Sequence, residues 1–302
     1  MALGKRFFFF FLVNILVMVT VSLVLNFLGV SHYATAYGIN YQQLMIFCLV
    51  WGMAGSFISL MLSKFMAKSM MGVEIVDGRG QYHQLVQSIH HLSRRAGISK
   101  MPEVGIYHSP DINAFATGPT KNSALIAVST GLLQNMSWDE IEGVLAHEVS
   151  HAANGDMVTM TLIQGVINAF VMFFARIAAF FVAQALRSND NEGRGGSRFF
   201  EFILIFLFEI IFGLFGMMVV ALFSRWREFR ADAGSAALVG REKMIAALRK
   251  LQRTYEVATE AVKEEPKSFA AFKISGGRSG FMQLLSTHPS LDARIKALQE
   301  SR

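Results

Sequence analysis

The stretch "LAHEVSHAANGDMVTMTLIQGV", residues 145–166, joins two kinds of chain that want different solvents. Its first half places His147, Glu148 and His151 in a helical pattern. Its second half opens an apolar run that reaches Leu186 with one charge, Arg176. Upstream, Ser137 and Glu140 form the S-x-x-E of a capping box, and Ile141, Val144, Leu145 and Val149 recur at helical spacing. Asn154–Gly155 marks the stop. Four residues make about 400° of turn and about 6 Å of rise, so the two imidazoles point the same way. Two ligands of a tetrahedral Zn²⁺ need that geometry, and Glu148 is placed to reach a water rather than the ion. The competing reading is two solvated histidines on a polar helix.

A third ligand separates the two. Asn154 and Met157 stand where a third-histidine pattern needs Gly and His, so that pattern is excluded. The other solution is a glutamate on a later helix. Glu228, in "REFRAD" (227–232), has Asp232 one turn on. Glu228 can then bind the ion while Asp232 orients a ligating histidine. The alternative is a surface charge cluster with Arg227 and Arg230.

Working outward, hydrophobic residues make up 53% of the 302 and charged residues only 17%. Soluble chains carry about 25% charged residues. Four stretches hold the difference: Phe7–Val30 without a charge, Leu44–Leu62, Met157–Leu186, and Phe199–Phe223 with Glu201 and Glu209. A helix of about 20 apolar residues crosses a bilayer core of about 30 Å, so each is long enough. A buried core helix is the alternative for the second. The first follows Lys5 and Arg6 and precedes the small-residue stretch Ala34–Ala36, as a signal peptide would. Its 24 residues exceed the apolar region of a signal, about 7–15 residues, so it reads as an uncleaved anchor. Cys48 is the only cysteine, which excludes an intramolecular disulfide and a cysteine metal site.

Charge sets the orientation. The loop 31–43 has no Lys or Arg, 63–156 has seven, and the chain after Ser224 has fifteen. The positive-inside rule puts both termini and both polar segments in the cytoplasm. The net charge of +6 is then a property of cytoplasmic loops, and no nucleic-acid partner is expected. Arg187, Arg194 and Arg198, in the loop between the third and fourth spans, disagree with the rule. His151 and Glu228 can share an ion only if an even number of spans separates them, and two do. That requirement outweighs the loop. The expected organisation is a span pair over 1–62, a first half-domain over 63–156, a second span hairpin over 157–223, and a second half-domain over 224–302. The ligands lie six residues before and five after the hairpin, or about 8–9 Å along a helix, so the ion should sit near the cytoplasmic membrane surface. Within the hairpin, Arg176 and Glu209 should face each other or the bundle interior, since lone charges in hydrocarbon are costly. Separate snorkelling is the alternative.

The polar segments predict a helix over 81–97, strands over 103–109 and 123–128, a strand and turn in "FATGPTKN" (115–122), and a charged amphipathic helix over 241–265. The stretch 188–197 reads as a linker.

With "DINAFATG" (111–118), "HEVSH" (147–151), "REFRADAGSA" (227–236) and "STHPSLDARI" (286–295) in this order around a second span pair, the chain resembles the HtpX family of bacterial inner-membrane zinc metalloproteases, relatives of the CAAX prenyl proteases. The resemblance covers nearly the whole chain. It implies an α-helical integral membrane protein with four transmembrane helices and an α+β, mostly helical, gluzincin-type protease domain. It implies one Zn²⁺ per chain on His147, His151 and Glu228, with Glu148 as base. Asn113, Ala114 and Phe115 would form the edge on which an extended substrate pairs. His288 would lie near the substrate or transition state, and Arg294 on the structural or oxyanion side. The implied work is stress-response quality control of misfolded or unfolded membrane proteins, alongside a membrane ATP-dependent protease. A silent scaffold or transporter would carry more intramembrane polar residues and broken helices. A dedicated prenyl-protein processor would need an enclosed chamber, for which four spans are few.

Overall fold

The computed structural model describes residues 40–187, 194–263 and 285–301. The apolar stretch Phe7–Val30, Lys5 and Arg6, and most of the 188–197 linker lie outside the described residues. Along the chain come α1 (Tyr41–Met70), β1 (Glu74–Ile75), α2 (His83–Arg95), β2 (Glu103–Tyr107), β3 (Ala114–Thr117), β4 (Leu125–Ser129), α3 (Thr130–Asn135), α4 (Trp138–Asn154), α5 (Asp156–Arg187), α6 (Arg194–Val239), α7 (Arg241–Lys263) and α8 (Leu291–Glu300). Short 3-10 turns occupy Gly80–Tyr82 and Lys121–Ser123. The described residues divide into two compact units, one taking in Thr161–Val220 with those up to Ile58, the other Ser59–Met160 with those from Ala221 onward.

The first unit is built from apolar helix. Among the described residues three helices are long and apolar enough to cross a membrane: Tyr41–Met70, Asp156–Leu186 and Phe199–Val239. Met45, Cys48, Phe173 and Ile177 form one buried cluster, and Ala179, Ala183 and Leu204 another. At Gly52 the backbones of α1 and α5 meet so closely that a Cβ would lie 2.7 Å from the Ala169 amide nitrogen. Small residues allow such approach, which substitutes for the hydrophobic drive that lipid does not provide. Phe199, Phe202, Phe206 and Phe215 of α6 stay exposed, as lipid-facing side chains do. Arg176 Nη1 lies 3.0 Å from Glu209 Oε1, so the two charges face each other as expected.

The second unit carries the sheet, ordered β1-β2-β4-β3, with β2 and β4 parallel and the other pairs antiparallel. β4 is buried along its whole length. Ile126 and Val128 join the main core with Ile89, Leu92, Leu145 and Val149. Leu125 and Ala127 join a second cluster with Val73 and Tyr107 on the opposite face. A strand covered on both faces must be apolar throughout, which explains "LIAV". β3 lies at the end of the sheet order, with one edge unpaired among the described residues. α4 runs beneath the sheet and against α7, where a Cβ on Gly143 would lie 2.6 Å from the Lys243 carbonyl oxygen. Ser235 Oγ of α6 donates to the Gly143 carbonyl at 2.9 Å.

The local expectations shift by a few residues, each for a visible reason. The strand expected over 103–109 ends at Tyr107, because Ser109 turns onto Thr130: its amide donates to Thr130 Oγ1 and its carbonyl accepts from the same hydroxyl. The strand expected from 123 starts at Leu125, because Lys121–Ser123 close a 3-10 turn through Ser123 N to Thr120 O. α2 covers 83–95 of the expected 81–97, and Gly97 leaves it at φ +73°. "REFRAD" is no separate helix: α6 runs unbroken from Arg194 to Val239.

Candidate metal centre

The capping box at the start of α4 is complete, with Ser137 N donating to Glu140 Oε2 at 2.7 Å and Ser137 Oγ accepting from Glu140 N. Gly155 ends the helix at φ +65°, a left-handed position that glycine adopts without cost. These two stops fix the register of His147, Glu148 and His151. All three are buried, at 6, 9 and 8% exposure. α6 brings Glu228 (1%) and Asp232 (2%) against them, and α8 brings Arg294 (7%). Buried polar groups of this kind require partners.

The ring nitrogens and the carboxylate converge. His147 Nε2 and His151 Nε2 are 3.1 Å apart, His147 Nε2 lies 3.4 Å from Glu228 Oε2, and His151 Nε2 lies 3.3 Å from Glu228 Oε1. Four ligands at about 2.0–2.1 Å around a tetrahedral ion stand about 3.3 Å from one another. The three separations match that edge length, and the three residues can together hold a metal ion. The outer ring nitrogens are occupied as a metal-ligating histidine requires. His147 Nδ1 lies 2.9 Å from Asp232 Oδ1, and His151 Nδ1 lies 2.7 Å from Asp156 Oδ2. These outward contacts leave each Nε2 facing the point it shares with Glu228.

The electrostatics ask for positive charge at the same point. Burial alone would lower the pKa of His147, but Asp232 and Glu228 outweigh it and raise it. Burial also opposes charge on His151, yet Asp156 and Glu228 push its pKa up to about 9. Burial would raise Glu228, but hydrogen bonds from His147, His151 and His288 hold its carboxyl far below the usual carboxylate range.

The remaining site residues fall around this centre. Arg294 grips Asp232 with two bonds, Nε to Oδ2 at 2.7 Å and Nη2 to Oδ1 at 2.6 Å. His288 is exposed, with Nδ1 3.1 Å from Glu228 Oε2. A cavity of about 1260 Å³ is lined by Asn113, Ala114, Phe115, Glu148, His288 and Arg294 together with the three converging residues. Ligand pockets run from about 300 to 1,000 Å³, so this cleft suits a polymer better than a metabolite. Asn113 is tied to β4, its amide donating to Ser129 Oγ at 3.1 Å and its carbonyl accepting from Ser129 N at 3.0 Å. Phe115 packs against Tyr107 with the rings tilted 46° and their centroids 5.7 Å apart. The sequence assigns Asp156 no role and offers Arg230 only as part of a surface charge cluster, whereas Arg230 Nη2 donates to Asp156 Oδ1. The signal available was an acidic residue just past Gly155, at the head of an apolar helix.

Comparison with known proteins identifies the family. The model of Peptidase family M48 matches residues 80–302. The chain is 49% identical to the "Protease HtpX homolog" of Bacillus licheniformis over 307 residues, covering 98% of this chain and 99% of that one. It is 48% identical to the Protease HtpX of Enterobacter sp. (strain 638) over 297 residues, covering 97% of each. Its fold is similar to the crystal structure of S. mikatae Ste24p, with TM-score 0.59 and 18% identity, over 96% of this chain and 66% of that one. The chain therefore belongs to Peptidase family M48, among the HtpX-type membrane metalloproteases.

Proposed function

We propose that the chain is a zinc endopeptidase that cleaves misfolded or damaged membrane proteins at the cytoplasmic face of a bacterial inner membrane, as part of a stress response. The observation that carries this reading is the convergence of His147, His151 and Glu228 beside Glu148, in a cleft bordered by the edge strand β3. His147, His151 and Glu228 would hold one Zn²⁺, which supplies Lewis-acid polarisation of a carbonyl and acidification of water. Glu148 takes the proton of the attacking water on its carboxylate and passes it to the leaving amide nitrogen. Asp232, locked by Arg294, keeps His147 in the tautomer with Nε2 bare. His288, exposed and close to Glu228, would donate to the carbonyl oxygen as charge develops on it. Asn113, Ala114 and Phe115 offer main-chain groups to an extended substrate, a contact that tolerates many sequences and suits unfolded chains.

The Lys/Arg asymmetry supports a cytoplasmic site with both termini on the same side. Phe7–Val30 would supply a fourth span, and 63–156 with 224–302 would make up a gluzincin-type protease domain. The test is cleavage of unfolded casein by the purified full chain. Cleavage should stop with a zinc chelator and return with added Zn²⁺. Plain and prenylated peptides should be cut alike. Strong preference for the prenylated peptide would overturn this substrate assignment in favour of a processing enzyme, and inertness toward both would return the chain to a scaffold.

A further inference from the structure

The centre holds two histidines, and each has its own carboxylate with its own arginine. Asp232 and Arg294 serve His147. Asp156 and Arg230 stand in the same relation to His151, on different elements. Asp156 is the first residue of α5 and is 3% exposed. Its Oδ2 lies 2.7 Å from His151 Nδ1, and its Oδ1 accepts from Arg230 Nη2 at 2.7 Å. Arg230 belongs to α6, and its guanidinium lies 5.1 Å from the centre of the Trp226 ring. Both carboxylate oxygens of Asp156 are thus used, one on the imidazole and one on a cation held from the neighbouring helix.

We propose that Asp156 is the positioning residue for His151, and that Arg230, which is bonded to no member of the converging triad, sets the metal affinity through it. Without the Asp156 carboxylate, His151 Nδ1–H has no acceptor in place, and the ring can turn or change tautomer so that Nε2 carries the proton. Without Arg230, Asp156 keeps one bond and can pivot away from the ring. The link also ties the helical entry to one span helix to the exit of the next. The separation of α5 and α6 at that level therefore bears on His151. This inference rests on His147, His151 and Glu228 being the metal site.

The experiment uses the full chain in detergent, loaded with Zn²⁺ for affinity and with Co²⁺ for its visible spectrum. Loss of an outer partner of a ligating histidine weakens metal binding by about 10- to 100-fold. Asp156→Asn should show that loss and a shifted Co²⁺ band. Arg230→Met should follow in the same direction by a smaller factor, with Arg230→Lys restoring most of it. Arg230 is 39% exposed, so its variants decide the matter if Asp156→Asn fails to fold. A merely structural contact would lower thermal stability while leaving affinity and spectrum unchanged, and that result would overturn the proposal. His147→Ala and Glu228→Ala separate the two levels. If they also kept the metal, the site reading itself would fall, and this inference with it.

Discussion

Glu148→Gln keeps its metal and loses about 10²–10⁴-fold in the rate of casein cleavage, the contribution of a general base. The substitution is isosteric. Glu148 stands next to His147 on α4, lines the cleft, and is not one of the three converging groups. Removing its charge should therefore leave the ligand geometry alone while removing the only acceptor assigned to the water proton. Metal per chain and turnover, measured on the same preparation, check both halves of the statement. Wild-type turnover in this variant would take the base assignment away from Glu148.

Arg294→Met should have the largest effect on stability. Arg294 and Asp232 are 7 and 2% exposed and are joined by two short bonds. Burial works against both charges, yet the Asp232 carboxylate raises the guanidinium above its ordinary pKa, and Arg294 with His147 holds the Asp232 carboxyl below its own. Removing one partner of a buried pair strands the other, at a cost of about 3–5 kcal/mol. α8 would keep Ile295 and Leu298 packed against Met244, Ile245 and Leu248, and the bond from Gln252 Nε2 to Asp292 Oδ1 at 3.1 Å. The double variant Arg294→Met with Asp232→Leu should recover part of the lost stability in denaturant titration, since it removes the stranded Asp232 charge. It should still bind metal weakly, because His147 Nδ1 has lost its acceptor. A single variant as stable as wild type would show that the pair carries little of the fold.

The parts of the molecule legible in the sequence are those written locally. The capping box, the glycine stop and the four-residue spacing fix α4, and α4 fixes two converging groups. Glu228 could be chosen because Asp232 lies one turn away on the same helix. The parts that stayed hidden depend on distance. Nothing near residues 103–129 announces that β2 pairs in parallel with β4, and the edge position of β3 comes only from the family resemblance. Hydropathy marks where α6 changes solvent, near Phe223, and so suggests a break. The backbone hydrogen bonds continue to Val239 regardless. Helix geometry and solvent preference are separate properties, and the pattern reports only the second. Arg230 and Asp156 are 74 positions apart and meet only after the hairpin closes, so no local motif could pair them.

Metal content of Glu228→Ala beside wild type tests most directly whether His147, His151 and Glu228 share one metal ion. Wild type should carry one zinc per chain after purification without chelator, and Glu228→Ala should carry close to none. Full zinc in Glu228→Ala would place the ion elsewhere and contradict the centre described here.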